Sequence, residues 1–138
     1  MDITLYFLLI FFILAVIVSI AVFILAGKHK VTEKQKKIVR KEWDKIMQIK
    51  DSNPENALMQ ADKLFDHLLK LLGFTGSLGD KLKKCGSNFH DLNGLWDAHK
   101  TRNRIVHEIG FKLDTKECNR LLNKFKSAFK DLGVNFKQ

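Results

Sequence analysis

Asn53-Pro54-Glu55-Asn56-Ala57-Leu58-Met59-Gln60-Ala61-Asp62-Lys63-Leu64-Phe65-Asp66-His67-Leu68-Leu69-Lys70-Leu71-Leu72-Gly73 is the stretch whose reading decides the fold. Its apolar positions Ala57, Leu58, Ala61, Leu64, Phe65, Leu68, Leu71 and Leu72 recur at spacings of three and four. That period gives one apolar stripe on an α-helix and nothing coherent on a strand. Asn53 can cap the first turn, and Pro54 fits the first helical position, where its missing N–H costs nothing. Gly73 can close the end.

The same period extends in both directions. Upstream, Thr32 and Gln35 have the spacing of a capping box and open a helix with a stripe of Val39, Trp43, Ile46 and Met47, running to about Lys50. Downstream, Gly73–Gly79 reads as a loop, and Ser77 with Asp80 caps a short helix through Lys84. Three glycines near a helix start can also cradle phosphate. Here no strand precedes them and no Gly-Lys-Ser/Thr follows, so a plain turn is the simpler reading. After a break at Cys85–Asn88, a helix from about Phe89 to Ile109 follows, with an apolar stripe of Leu92, Leu95 or Trp96, Val106 and Ile109. Gly110 stops it. Asp114 and Glu117 open a last helix with a core face of Cys118, Leu121, Leu122, Phe125, Ala128, Phe129 and Leu132, ended by Gly133. No window alternates as a half-buried strand would. The expected fold is all-α, an antiparallel bundle of about four helices.

One transmembrane helix is expected to precede the bundle. Residues Ile3 to Ala26 hold no charged side chain, and Thr4 and Ser19 are the only clearly polar ones. As a helix they span roughly 36 Å, against a bilayer core of about 30 Å. A cleaved signal peptide would carry a basic start and a shorter apolar core, whereas Asp2 is the only charge before this run. The domain division is therefore 1–27 as a single-pass anchor held by membrane lipid through residues 3–26, and 28–138 as one soluble domain. Lys28, Lys30, Lys34, Lys36, Lys37, Arg40 and Lys41, opposed only by Glu33, follow the anchor. The positive-inside rule then puts the N-terminus outside and the domain in the cytoplasm of a cell-membrane protein. These cations either hold anionic lipid or serve only as a topology signal and solvated face.

The chain of 138 residues carries +9 and residues 1–27 hold one charge, Asp2, so residues 28–138 carry +10. That favours an anionic partner such as lipid head groups, RNA or an acidic protein. Cys85 and Cys118 form no CxxC and read as reduced thiols. No metal-ligand spacing stands out, and neither metal nor cofactor is expected.

Chemistry concentrates in Arg102-Asn103-Arg104-Ile105-Val106-His107. Helical spacing puts His99 and either Arg102 or Asn103 on the inward stripe, where polar groups need partners. At about 100° per residue, Asn103 and His107 lie about 40° apart with His99 one turn earlier, while Arg102 and His107 lie about 140° apart. The arginine must reach round, or meet a histidine from a second protomer. Two readings stay open: a site with a guanidinium, an amide and an imidazole, or a structural network in which Arg102 and Asn103 bridge helices or protomers. His67 and His90 lie on patterned helices without a partner cluster, and Trp43 and Trp96 read as core.

The pattern of Arg, a polar residue, three residues and a His, set in Leu95–Glu108 and preceded by the helix containing Ala61-Asp62-Lys63-Leu64-Phe65, resembles the motif of the HEPN superfamily. The resemblance covers roughly residues 38 to 133 and leaves the anchor out. It implies a helical bundle that dimerises through the motif helix. It also implies, for many members, metal-independent endoribonuclease activity in toxin–antitoxin and other defence systems, whereas other members bind nucleotides or are inactive. On that resemblance Arg102 would neutralise the scissile phosphate, His107 would act as general acid or base, and Asn103 would orient one of them. His99 and Arg104 would be supporting or RNA-contacting residues. The partners so implied are a second copy, RNA, and an antitoxin or membrane protein.

Overall fold

The computed structural model describes residues 3–27 and 30–136, all of them helix, turn or loop. Six α-helices follow one another: α1 (Ile3–Gly27), α2 (Glu33–Ile49), α3 (Pro54–Leu71), α4 (Leu78–Cys85), α5 (Leu92–His107) and α6 (Thr115–Asp131). A single 3-10 turn, Gly86–Asn88, joins α4 to the segment leading into α5. Contacts divide the chain into two units, Met1–Lys30 and Val31–Gln138.

The first unit is α1. Every side chain described on it, from Ile3 to Phe23, is exposed. Those 21 residues have a mean hydropathy of 3.1, so the helix is long and apolar enough to cross a membrane. Its one hydroxyl in mid-span, Ser19 Oγ, donates to the Ala15 carbonyl at 2.8 Å. A polar group in hydrocarbon needs such an internal partner.

The second unit is a bundle of the four long helices α2, α3, α5 and α6 with α4 as a short addition. Helix α3 is the hub and packs against α2, α4, α5 and α6. Its start follows the sequence: Asn53 Oδ1 accepts from Asn56 N at 3.2 Å, with Pro54 in the first turn. At its end Phe74 N donates to Leu69 O and Gly73 N to Lys70 O, with Gly73 at φ +94°. That closure needs a left-handed residue, which glycine supplies without a Cβ clash. Gly133 repeats the arrangement after α6.

The buried stripe of α3 corrects one expectation. Leu71 is exposed and Leu64 only half-buried, while Leu69 is fully buried. Leu69 lies about 40° from Phe65 round the helix, but Leu71 lies about 120° away, past the edge of the face. On α2, Met47 is exposed beyond the buried Val39, Trp43 and Ile46. The core centres on Phe65, whose ring lies 5.6 Å from Phe89, 5.7 Å from Phe125 and 5.2 Å from Phe129. Trp43 is buried and joins it at 5.7 Å from Phe129. The residues after Gly133 fold back as well: Phe136 packs on Trp43, and Arg40 Nε donates to the Asn135 carbonyl.

Helix α5 is shorter than the sequence suggests, starting at Leu92 rather than Phe89 and ending at His107 rather than Ile109. Asp91 caps it, accepting from Gly94 N at 2.9 Å. Its buried residues are Leu95, Ala98 and Thr101, not Val106 and Ile109, which are both exposed. A spacing of three drifts about 60° backwards at each step, so the contact line crosses α5 obliquely and leaves its far end outside the bundle.

Candidate functional site

The polar cluster on α5 is organised by a residue of α3. Asp62 occupies the apolar face of that helix between Leu58 and Phe65 and is 5% exposed. Its Oδ1 lies 2.7 Å from His99 Nδ1. Its Oδ2 lies 3.4 Å from Arg102 Nε, close enough for an ion pair but too poorly aligned for a hydrogen bond. Arg102 Nη1 donates to Asn103 Oδ1 at 3.1 Å, and Asn103 Nδ2 lies 3.4 Å from the other ring nitrogen of His99. A carboxylate, an imidazole, a guanidinium and a carboxamide thus form one connected set. A carboxylate buried this deeply is tolerated only with such partners.

The set lines an open groove of about 640 Å³ between α3, α5 and the start of α4. Asn56, Gln60, Lys63 and Asp66 line its α3 side, and Ser77 and Gly79 come from the start of α4. Gly79 lies against Trp96, where an added Cβ would make an ordinary contact with the ring at 3.4 Å. The capping box that starts α4 forms as the sequence implies, with Ser77 and Asp80 bonded reciprocally and Asp80 held below the usual carboxylate range by Ser77. Asp66 is matched from beneath by Lys81, 3% exposed, whose Nζ lies 2.7 Å from Asp66 Oδ1.

The charge of this groove is balanced. Its ionisable lining is Asp62, Asp66, Lys63, Arg102 and His99, so the formal charges cancel when His99 is neutral. The chain's excess of cations does not concentrate there.

His107 does not join the set. It is the last residue of α5, exposed, outside the groove lining and without a polar partner among the described residues. Arg102 and His107 diverge round the helix, as their spacing of five requires. Arg104 is engaged elsewhere. It makes two bonds to Glu108, at 2.9 and 3.1 Å, and its guanidinium stacks 4.4 Å from the centre of the Phe111 ring. Those bonds hold Glu108 below the usual carboxylate range.

Of the basic run, Lys28 lies outside the described residues. Lys34, Lys37 and Lys41 are exposed on one face of α2 around the exposed Ile38. Lys36 is half-buried and paired with Glu33 at 2.8 Å, while Arg40 is spent on the Asn135 carbonyl. Lys30 is exposed.

His90 corrects another expectation, since it lies in the turn before α5 and has partners. Its Nδ1 is 2.8 Å from Asp131 and its Nε2 is 3.2 Å from Ser127 Oγ, which ties that turn to α6. Both cysteines are free and buried; burial raises the Cys85 thiol and pushes Cys118 up to about 11. No three His, Cys, Asp or Glu side chains group closely enough to hold a metal ion among the described residues.

Sequence reasoning missed Asp62, Asp66 and Lys81. For Asp62 the signal was present, because a charge on the Leu58–Phe65 face demands partners. Lys81 sits one turn after Leu78 on the buried face of α4, and its mate fifteen residues upstream follows from no local pattern. Comparison of the chain with known proteins finds no family model, no curated protein and no solved structure that matches it.

Proposed function

We propose that this chain is a membrane-anchored, HEPN-like helical domain acting as a metal-independent endoribonuclease of the toxin or defence type. The observation that carries the reading is the groove. Arg102 and Asn103, the first two residues of the motif, line an open cavity of about 640 Å³. Arg102 there would neutralise charge developing on a phosphate. His107, turned away from its own groove, would enter the site from a second copy. The exposed Val106 and Ile109 beside it give that copy an apolar surface to cover.

The anchor crosses the cell membrane with the N-terminus outside and the bundle in the cytoplasm, on the strength of the basic residues that follow it. The face of α2 with Lys34, Lys37, Lys41 and Ile38 suits contact with anionic lipid, combining cations with an apolar residue. An antitoxin or a membrane protein would restrain the activity.

The test uses the full chain in detergent micelles, incubated with RNA in EDTA. Cleavage leaving 2′,3′-cyclic phosphate ends, sparing DNA, and abolished by Arg102→Ala and by His107→Ala in folded protein, is the expected result. Intact RNA with folded, dimeric protein would overturn it.

A second reading rests on the balanced charge of the groove and on Asp62, which already engages both His99 and Arg102. In it the cluster is a structural network, and the bundle is a non-enzymatic interaction module held at the membrane surface. His107→Ala would then leave function intact, while changes on an exposed bundle face would not.

A further inference from the structure

We infer that His99, held by Asp62, is the proton-accepting residue of this groove, and that Asp62 positions it. The inference rests on the ribonuclease reading above and moves the base from the exposed end of α5 to its middle.

The geometry is that of a carboxylate–imidazole dyad. Asp62 is buried and can only accept, so His99 Nδ1, 2.7 Å away, carries the proton and donates it. That bond fixes the ring and leaves Nε2 as the free base, as second-residue carboxylates do for histidines generally. Among the described residues the one polar partner of Nε2 is the Asn103 amide at 3.4 Å, a long approach that a substrate hydroxyl can replace. Arg102 stands beside it on the next turn, facing the same cavity. Base and phosphate clamp are therefore within one chain and one groove, which His107 and Arg102 are not.

The groups facing His99 are Asp62, Lys63 and Asp66 from α3 and Arg102 from its own helix; α4 lines the groove with Ser77, Leu78 and Gly79, and its buried Lys81 is spent on Asp66. None but Asp62 is bonded to the ring nitrogen that carries the proton. In the reaction a ribose 2′-hydroxyl gives its proton to His99 Nε2 as its oxygen bonds to phosphorus. The bond from phosphorus to the 5′-oxygen breaks, and that oxygen takes a proton from His107 of a second copy. Arg102 neutralises the non-bridging oxygens throughout.

The experiment uses the full chain in detergent, with His99→Ala, Asp62→Asn and Arg102→Ala beside it, folding being checked by circular dichroism. Two readouts are taken: the rate of RNA cleavage with and without added imidazole, and the tautomer of each histidine by nitrogen-15 NMR, His99 assigned by its loss in the variant. We expect the Nδ1–H form for His99 and its change to Nε2–H or a mixture in Asp62→Asn. We also expect a loss on the order of 100-fold in His99→Ala that imidazole partly restores. A wild type that needs Arg102 but tolerates His99→Ala within about threefold overturns the inference and leaves the ribonuclease reading standing. A folded His99→Ala variant that imidazole does not rescue, or an Nε2–H tautomer in the wild type, overturns it as well. A wild type that cleaves no RNA removes both.

Discussion

Asp62 and His99 stand thirty-seven residues apart in sequence, on α3 and α5, yet their side chains meet at 2.7 Å in a place where the carboxylate is nearly shut off from water. The pair joins the two helices at the groove and supplies the one buried anion among the described residues of the α3 core face. Structure and chemistry therefore share one residue, and its substitution has consequences for both.

Asp62→Ala should destabilise the fold by about 3 kcal/mol, the lower end for breaking a buried pair, because Arg102 is a third exposed and can recover water. Thermal unfolding of the full chain in detergent measures it. A loss below about 0.5 kcal/mol would mean that the carboxylate is hydrated in solution.

Lys81 and Asp66 should respond unequally. Lys81→Met removes a nearly inaccessible ammonium and leaves Asp66 with enough exposure to be solvated, so its cost should stay below about 1 kcal/mol. Asp66→Ala leaves the buried ammonium with the residue 66 backbone carbonyl but without a counter-charge, and should cost about 3 kcal/mol. The order of the two melting temperatures decides the point.

The two thiols should resist modification. Cys118 is raised to about 11 by burial and Cys85 is raised too, so neither is a thiolate near neutral pH. Native protein at pH 8 should react with a thiol reagent only as slowly as it unfolds, and denatured protein should titrate two thiols at once. Because the folded value of Cys118 lies above its unfolded one, its contribution is complete below about pH 9 and fades as pH rises toward 11. Unfolding followed across that range should show stability falling with alkali, and Cys118→Ala should flatten the fall.

Acid should loosen the helix ends. Ser77 lowers Asp80, Lys124 lowers Asp91 and Arg120 lowers Glu117. A carboxyl whose folded value is depressed contributes fully above its unfolded value and stops contributing as pH falls through the folded one. Protection of the amides in the first turns of α4 and α5, taken relative to their intrinsic exchange rates, should therefore fall below about pH 4, before the core opens. Asp91→Asn should remove part of that dependence at α5 while keeping the cap.

The secondary structure was legible because its causes are local. Thr32 with Gln35, Asn53 before Pro54, and Ser77 with Asp80 start helices as their side chains require, and Gly73 and Gly133 end them. The uncharged run through α1 likewise declares a helix that could cross a membrane from composition and length alone. Exposure at the margins was less legible, since Leu71, Val106 and Ile109 are apolar residues whose fate depends on where a neighbouring helix stops.

Period, caps and hydropathy thus settled by themselves that this chain is a bundle of helices preceded by a long apolar one, because each of those signals acts within a few residues. The meeting of Asp62 with His99 and Arg102 and the pairing of Lys81 with Asp66 were decided only by tertiary structure, whereas the divergence of His107 from Arg102 already follows from their spacing of five. The crossing of α3 and α5 sets those distances, and no stretch of sequence read alone contains the angle at which two helices pack.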